Sequence, residues 1–165
     1  KHNYMIIKNN LLLLIIISLI LYSCGYSKVY NSNEIHNFNI MSLEVTGDSA
    51  INNHLKINLK KYLNNKIEDK SYIVKINSEF KKRPLAKDKT GKITDIKLIA
   101  DVKLEYEILQ NNEENKITKT ILFSENFSIK KNQNNFEQRD YEKTIKRNLT
   151  DLLSKRIIRH LSITK

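Results

Sequence analysis

The chain of 165 residues holds one cysteine, one proline, three glycines and no tryptophan. One cysteine excludes an internal disulfide, so the domain is held by packing alone. Three glycines cannot build a phosphate-cradling loop, and no Gly-Lys-Ser/Thr triplet occurs. The four histidines, His2, His36, His54 and His160, show no metal-ligand spacing, so no metal or cofactor is expected. A lone histidine near a helix end, such as His160, reads as a surface residue favoured by the helix dipole. Asp101, Glu105 and Glu107 alternate along one segment, the pattern of a solvated strand face rather than of a poised carboxylate pair. Asn148-Leu149-Thr150 matches a glycosylation triplet but falls inside a helical pattern and is set aside. No catalytic constellation is found, and an enzyme is not expected.

Acidic residues are also scarce. Lys and Arg number 29 against 18 Asp and Glu, a formal net charge of +11. Such a balance suits an acidic partner: nucleic acid, anionic lipid or acidic glycolipid. Part of the excess follows from general enrichment in Asn, Lys and Ile. Hydrophobic content of 40% and charged content of 28% are ordinary for a folded domain.

What is present begins with Leu11–Tyr26, LLLLIIISLILYSCGY. The apolar run, roughly a dozen residues, is shorter than the about 20 needed to cross a bilayer. It suits the apolar region of a secretory signal. Lys1 and Lys8 precede it without an acidic residue, and Met5 is a candidate initiator. Leu21-Tyr22-Ser23-Cys24 resembles a bacterial lipobox, with Tyr22 bulkier than usual at its position. The resemblance implies that Cys24 takes a diacylglycerol thioether, becomes the mature N-terminus and is then N-acylated, as with palmitate. Two or more chains give firm anchoring where one is marginal. Gly25 rather than Asp follows, which permits export to the outer membrane. A secretory signal also argues against nucleic acid as the acidic partner. The division expected is a signal peptide over 1–23, a lipidated N-terminus and tether over 24–36, and one domain over 37–165.

Within that domain the patterning reads β-α-β-β-β-α. Ile40, Met41, Leu43 and Val45 alternate with a slip at Ile40–Met41, a first strand with a bulge. Gly47-Asp48-Ser49 opens a helix whose stripe is Ile51, Leu55, Leu59, Tyr62, Leu63 and Ile67. Ser71–Lys82 switches to period two, and Ile96–Leu109 alternates most clearly. Ile117–Ile129 is the next strand, with Ile117, Ile121, Phe123, Phe127 and Ile129 inward. Phe136–Ile163 is a long helix with a stripe of Tyr141, Ile145, Leu149, Leu152, Leu153, Ile157 and Leu161. The fold class expected is α+β: a two-layer sandwich of a four-stranded, mostly antiparallel sheet with two amphipathic helices packed on one face. The last three strands form a meander, and the neighbour of the first is left open.

Lys81–Asp95, KKRPLAKDKTGKITD, reads as the polar tip of a long hairpin. Lys81, Lys82, Arg83, Lys87, Lys89 and Lys92 cluster there against Asp88 and Asp95. A solvated loop is the plain reading. The functional one is a contact with phosphates, where Arg supplies a planar fork and Lys an adaptable point charge.

Taken in order, the chain resembles the LPS-assembly lipoprotein family (LptE), in its alphaproteobacterial-like form. The residues are Cys24-Gly25-Tyr26-Ser27-Lys28-Val29-Tyr30, the helix Ile51–Ile67, and Gly91-Lys92-Ile93 leading into Leu98–Tyr106. Phe123-Ser124 with Phe127, and Asp140-Tyr141-Glu142 opening a helix closed by Leu161, complete the order. The Asn-Lys richness departs from the family's usual Ala and Arg. The resemblance implies a non-enzymatic, periplasm-facing lipoprotein of the outer membrane. It would plug an LptD-type outer-membrane β-barrel, assist its assembly, and help deliver lipopolysaccharide. It further implies, by position and charge, that Lys81, Lys82, Arg83, Lys87, Lys89 and Lys92 touch lipopolysaccharide phosphates. The alternative is another periplasm-facing lipoprotein scaffold or transport-accessory binding module.

Overall fold

A computed structural model describes residues 38–64, 70–109 and 118–164. All of them lie in one compact unit, His36–Lys165. The signal-like run, Cys24 and its lipobox lie outside the described residues, as do Ile67 and Ile117.

The elements follow the order read from the sequence. Strand β1 spans Asn39–Gly47, helix α1 Ser49–Leu59, β2 Ser71–Lys87, β3 Ile93–Leu109, β4 Thr118–Lys130 and helix α2 Asn135–Ile163. The sheet order is β1-β2-β3-β4. The first strand runs parallel to β2, and the other two pairings are antiparallel. A parallel pair needs a crossover, and α1 supplies it. The register slips between Ile40 and Ser42, so the bulge falls where the broken alternation placed it.

Both helices cover one sheet face. Strand β3 sends Leu98, Ala100, Val102, Leu104 and Tyr106 into the core, where β2 adds Tyr72, Val74 and Ile76. Ile51, Leu55 and Leu59 of α1 and Leu149, Leu153, Ile157 and Leu161 of α2 close it from above. Aromatic rings line one end. Phe38 stacks on Tyr62 at 4.6 Å, and Tyr72 meets Tyr106 edge-on at 5.8 Å. The Tyr72 hydroxyl donates to the Leu161 carbonyl at 2.8 Å, and burial, with Tyr106 beside it, pushes its phenol up to about 12.

Helix α1 is shorter than its apolar stripe. Asp48 caps it, its Oδ1 accepting from the amides of Ala50 and Ile51 at 3.1 and 3.0 Å. It ends at Leu59, tightens into a 3₁₀ turn over Lys60–Tyr62, and Leu63 turns extended to bridge Ile40. That departure carries Tyr62 onto Phe38, so the later apolar residues serve the sheet end rather than a helical face.

In α2, Tyr141 and Leu152 are 48% and 47% exposed, against expectation. The inward line instead runs through Gln138, Glu142, Ile145, Leu149, Leu153, Ile157 and Leu161, with Thr150 and Ser154 beside it. These small hydroxyl residues let the two helices approach. Ser154 Oγ donates to the Thr150 carbonyl, and Asn58 Nδ2 donates to Ser154 Oγ and to Asp151 Oδ1 at 3.0 and 2.9 Å. Lys146 also turns inward, its Nζ 2.9 Å from Asp48 Oδ2 and 4.1 Å from the centre of the Phe80 ring.

Candidate functional site

The basic cluster belongs mostly to strand. Ladder pairing of β2 with β3 continues to Lys87 and Ile93, so the connection is only Asp88–Lys92. Lys81, Lys82, Arg83 and Lys87 therefore sit on β2, and only Lys89 and Lys92 lie in the turn. The sequence overestimated the loop because Pro84 normally breaks a strand. Here β1 stops opposite Ser78, so β2 has a single neighbour beyond that point. A proline is tolerated on such an edge. The turn is stapled by Asp88, whose Oδ1 accepts from the Thr90 amide, the Thr90 hydroxyl and the Lys92 amide at 2.8, 2.6 and 3.0 Å. The Thr90 hydroxyl and the Lys92 amide hold its carboxyl below the usual range. Gly91 takes φ +82°, which few other residues tolerate.

The six cations divide into two kinds. Lys81 lies on the open face, 2.6 Å from Glu79 and 3.2 Å from Asp101. Its hydrogen bond to Glu79, then that to Asp101, raise its pKa. Lys82 reaches under the hairpin to Glu142 of α2, whose side chain is 10% exposed. Burial works to raise the Glu142 carboxyl, but hydrogen bonds from Lys82 and Gln138 outweigh it and hold the pKa low. Gln138 Nε2 donates to Glu142 Oε1 at 2.8 Å, and Gln138 Oε1 accepts from the Asn132 amide at 2.7 Å. A polar chain thus runs from the β4–α2 connection through two helical side chains to β2, and Lys82 is part of the scaffold. Arg83, Lys87, Lys89 and Lys92 are exposed, and none forms an ion pair among the described residues.

The sequence reading passed over the surface beside this hairpin. Between the end of β4 and the first turns of α2 lies an open groove of about 590 Å³, lined by Phe127, Ser128, Ile129, Lys130, Lys131, Asn132, Glu137, Gln138 and Tyr141. Phe127, expected in the core, is 46% exposed. The cause lies in α2: its first inward positions are Gln138 and Glu142, which cannot pack down on an aromatic ring. That polar interruption at helical spacing from Ile145 was the available signal.

The remaining candidates are placed plainly. Asp101, Glu105 and Glu107 lie on the open face: Asp101 pairs with Lys81 and accepts from Ser124 Oγ at 2.6 Å, and Glu105 pairs with Lys103 at 2.5 Å. His160 is more enclosed than expected. Its Nε2 is 2.9 Å from the Tyr106 hydroxyl and its ring meets Phe123 edge-on; burial, then Lys119, lower its pKa. Among the described residues no group of three or more His, Cys, Asp or Glu could hold a metal ion, and no helix is long and apolar enough to cross a membrane.

The chain matches no protein-family model and no curated protein. Among solved structures, the first of the following shares its fold. Rare lipoprotein B from Shewanella oneidensis superposes with a TM-score of 0.56 at 12% identity, covering 75% of this chain and 94% of that one. An uncharacterized lipoprotein B from Nitrosomonas europaea gives 0.43 at 16% identity, covering 74% and 84%. A lipoprotein from Caulobacter crescentus gives 0.45 at 9% identity, covering 77% and 89%.

Proposed function

We propose that the protein is a lipoprotein of the outer membrane, anchored through Cys24, that works by binding rather than catalysis. In this reading it is the plug and assembly partner of an LptD-type β-barrel that inserts lipopolysaccharide into the outer membrane. The observation that carries the reading is a conjunction. A lipobox-like segment, Leu21–Cys24, precedes a β-α-β-β-β-α domain that shares its fold with a protein named as a lipoprotein. The exposed Arg83, Lys87, Lys89 and Lys92 at the far end of the β2–β3 hairpin add a surface suited to lipopolysaccharide phosphates. Lys81 and Lys82 are given a scaffold role instead, because each is already ion-paired.

The test is co-purification. Tagged protein extracted in mild detergent is expected to bring down a large β-barrel, identified by mass spectrometry. Absence of any barrel overturns the plug reading. Cys24→Ala is expected to release the domain from the membrane while leaving it folded; palmitate labelling that persists in that variant refutes the anchor. Reversing Arg83, Lys87, Lys89 and Lys92 to Glu is expected to weaken lipopolysaccharide binding most at low salt. Unchanged binding removes the hairpin from the proposal.

A further inference from the structure

Charge is distributed unevenly between the two faces of the domain. On the open sheet face Lys75, Lys81 and Lys103 each lie against a carboxylate. On the helical layer carboxylates are nearly absent. Residues 49–62 contain none, and residues 143–163 contain only Asp151, whose Oδ1 already accepts from Asn58 Nδ2. Lys56 at the end of α1, Lys60 in its 3₁₀ turn, and Lys143, Arg147 and Arg159 of α2 are all exposed. None of these five forms an ion pair among the described residues.

The two helices hold this charge in place. They lie side by side on the sheet, joined by Lys146 to Asp48 near one end and by Asn58 to Asp151 and Ser154 further along. Their apolar residues, Ile51, Leu55 and Leu59 in one and Leu149, Leu153 and Ile157 in the other, are buried. The cations therefore stand on the solvent side of a fixed layer. The 29 residues of α2 extend it for about 43 Å at 1.5 Å per residue.

A cationic face without counter-ions suits an acidic partner, either a membrane surface or a protein wall. Helices that lie on membranes turn an apolar face toward the acyl boundary. Here the apolar stripes are turned into the core, and only single exposed residues such as Ile57 and Leu152 remain among the cations. The layer presents spaced point charges and no inserting surface, which fits carboxylates held at fixed positions.

We propose that the helical layer docks on an acidic protein wall, with Lys56, Lys60, Lys143 and Arg147 opposite its carboxylates. Charge complementarity of this kind steers the encounter and fixes orientation more than it adds raw affinity. The sheet face, with its lysines already paired, does not compete for the same wall. The inference rests on the partner-binding reading above and names the chemistry of the surface that the partner presents.

The experiment uses the full chain, purified from the envelope in mild detergent together with what it binds and treated with a water-soluble carbodiimide. The reagent activates a carboxylate as an O-acylisourea; a lysine amine in contact with it displaces the urea and forms an amide. Peptide mapping is expected to join Lys56, Lys60 or Lys143 to Asp or Glu residues of a second protein. Lys56→Gln with Lys60→Gln and Arg147→Gln is expected to lower recovery of that protein roughly tenfold at low salt, with the difference closing at high salt, while circular dichroism shows the fold intact. Lys75→Gln with Lys97→Gln and Lys103→Gln, on the sheet, is expected to leave recovery unchanged. Amides missing from the helical lysines, or found only at sheet or hairpin lysines, overturn the proposal, as does a loss shared equally by the two triple variants. Protection of the helical lysines from acetylation by phosphatidylglycerol vesicles, without any amide to protein, also overturns it, because that marks a membrane-facing layer. Amides from the helical lysines to a protein that is not a barrel sink the plug reading alone; a co-purified barrel joined only elsewhere sinks the helical docking alone.

Discussion

The division of the basic hairpin into scaffold and free cations can be tested by replacing Lys82. Glu142 is 10% exposed in its side chain and Lys82 is 52% exposed, so the pair is neither buried nor solvated. Breaking a buried pair costs about 3–5 kcal/mol, whereas exposed pairs contribute about 0–1 kcal/mol. Lys82 reaches solvent and Gln138 still donates to Glu142 after the change, so Lys82→Gln should cost about 1–2 kcal/mol. At about 4 °C per kcal/mol for a domain of this size, Tm falls by roughly 4–8 °C. Lys87→Gln with Lys89→Gln should stay within about 0.5 kcal/mol of the parent, as changes at exposed sites do. A double-mutant cycle with Glu142→Gln isolates the pairwise part. Its pH dependence follows from linkage. The Glu142 pKa is lowered from 4.5 in the folded protein. Its contribution is therefore present above the unfolded value and is lost as pH falls through the folded one. The coupling measured near neutrality should vanish under acid conditions below that range. Thermal unfolding by circular dichroism at several pH values is the assay. Equal Tm losses from Lys82 and from Lys87 with Lys89 would refute the division, as would a coupling that persists once Glu142 is protonated.

Gly47→Ala should be the harsher change. Gly47 has φ +101°, and a Cβ there would stand 1.9 Å from the Ser78 carbonyl oxygen, which accepts the Asp48 amide at 3.1 Å. Backbone strain of roughly 1–3 kcal/mol and the steric clash add, so a Tm loss above about 10 °C is expected; a loss of a degree or two would mean the β1–α1 corner relaxes freely. His160 should impose a pH slope. Its folded pKa is lowered from 6.5, so its stabilisation is present above that value and lost as pH falls through the folded pKa. His160→Gln should flatten the Tm change between neutral and mildly acid pH, and an unchanged slope would assign that change to other groups. Leu153→Ala, at a fully buried position between α2 and the sheet, should cost about 2–5 kcal/mol by chemical denaturation; a loss under 1 kcal/mol would show that the helix repacks.

Much of this architecture was legible because one sheet face is buried. Alternation from Ile96 to Leu109, with Ile99 the exception, fixes the register of β3, since a one-residue slip would carry Lys103 and Glu105 into the core. The bulge of β1 and the Asp48 cap were equally local. What failed depended on neighbours. Pro84 breaks strands in general, and its tolerance here follows from where β1 ends, which no local pattern encodes. The stripe of α2 was drawn through apolar residues, while the fold selects positions, and Gln138, Glu142, Thr150 and Ser154 are inward because each finds a hydrogen-bond partner. The candidate site shows the same asymmetry. Charge clustering in Lys81–Lys92 was visible, but the pairing of Lys81 and Lys82 with Glu79, Asp101 and Glu142 is tertiary. The groove at Phe127 and Tyr141 was hidden because exposed aromatics and core aromatics look alike in sequence.

The uncovered sheet face bears on the kind of partner such a domain can accept. Both helices lie on one side, so the other side meets solvent along all four strands. It is neutralised by its own ion pairs, across strands between Lys75 and Glu44 at 3.9 Å and between Lys81 and Asp101, and along one strand between Lys81 and Glu79 and between Lys103 and Glu105. Each is weak in water, but stripping the water from all of them without replacement would be costly. The free strand edges are guarded as well. Met41 bulges out of β1, Pro84 interrupts the single-neighbour stretch of β2, and Glu125 points inward from β4 to meet Arg156 at 2.8 Å. Bulges, prolines and inward charges are the devices that oppose edge-to-edge pairing. A flat apolar partner would have to desolvate the charge lattice, and an added strand would meet a blocked edge. A concave, polar, hydrated surround could enclose the domain while leaving those charges wet. The proposed barrel lumen is a surround of that kind.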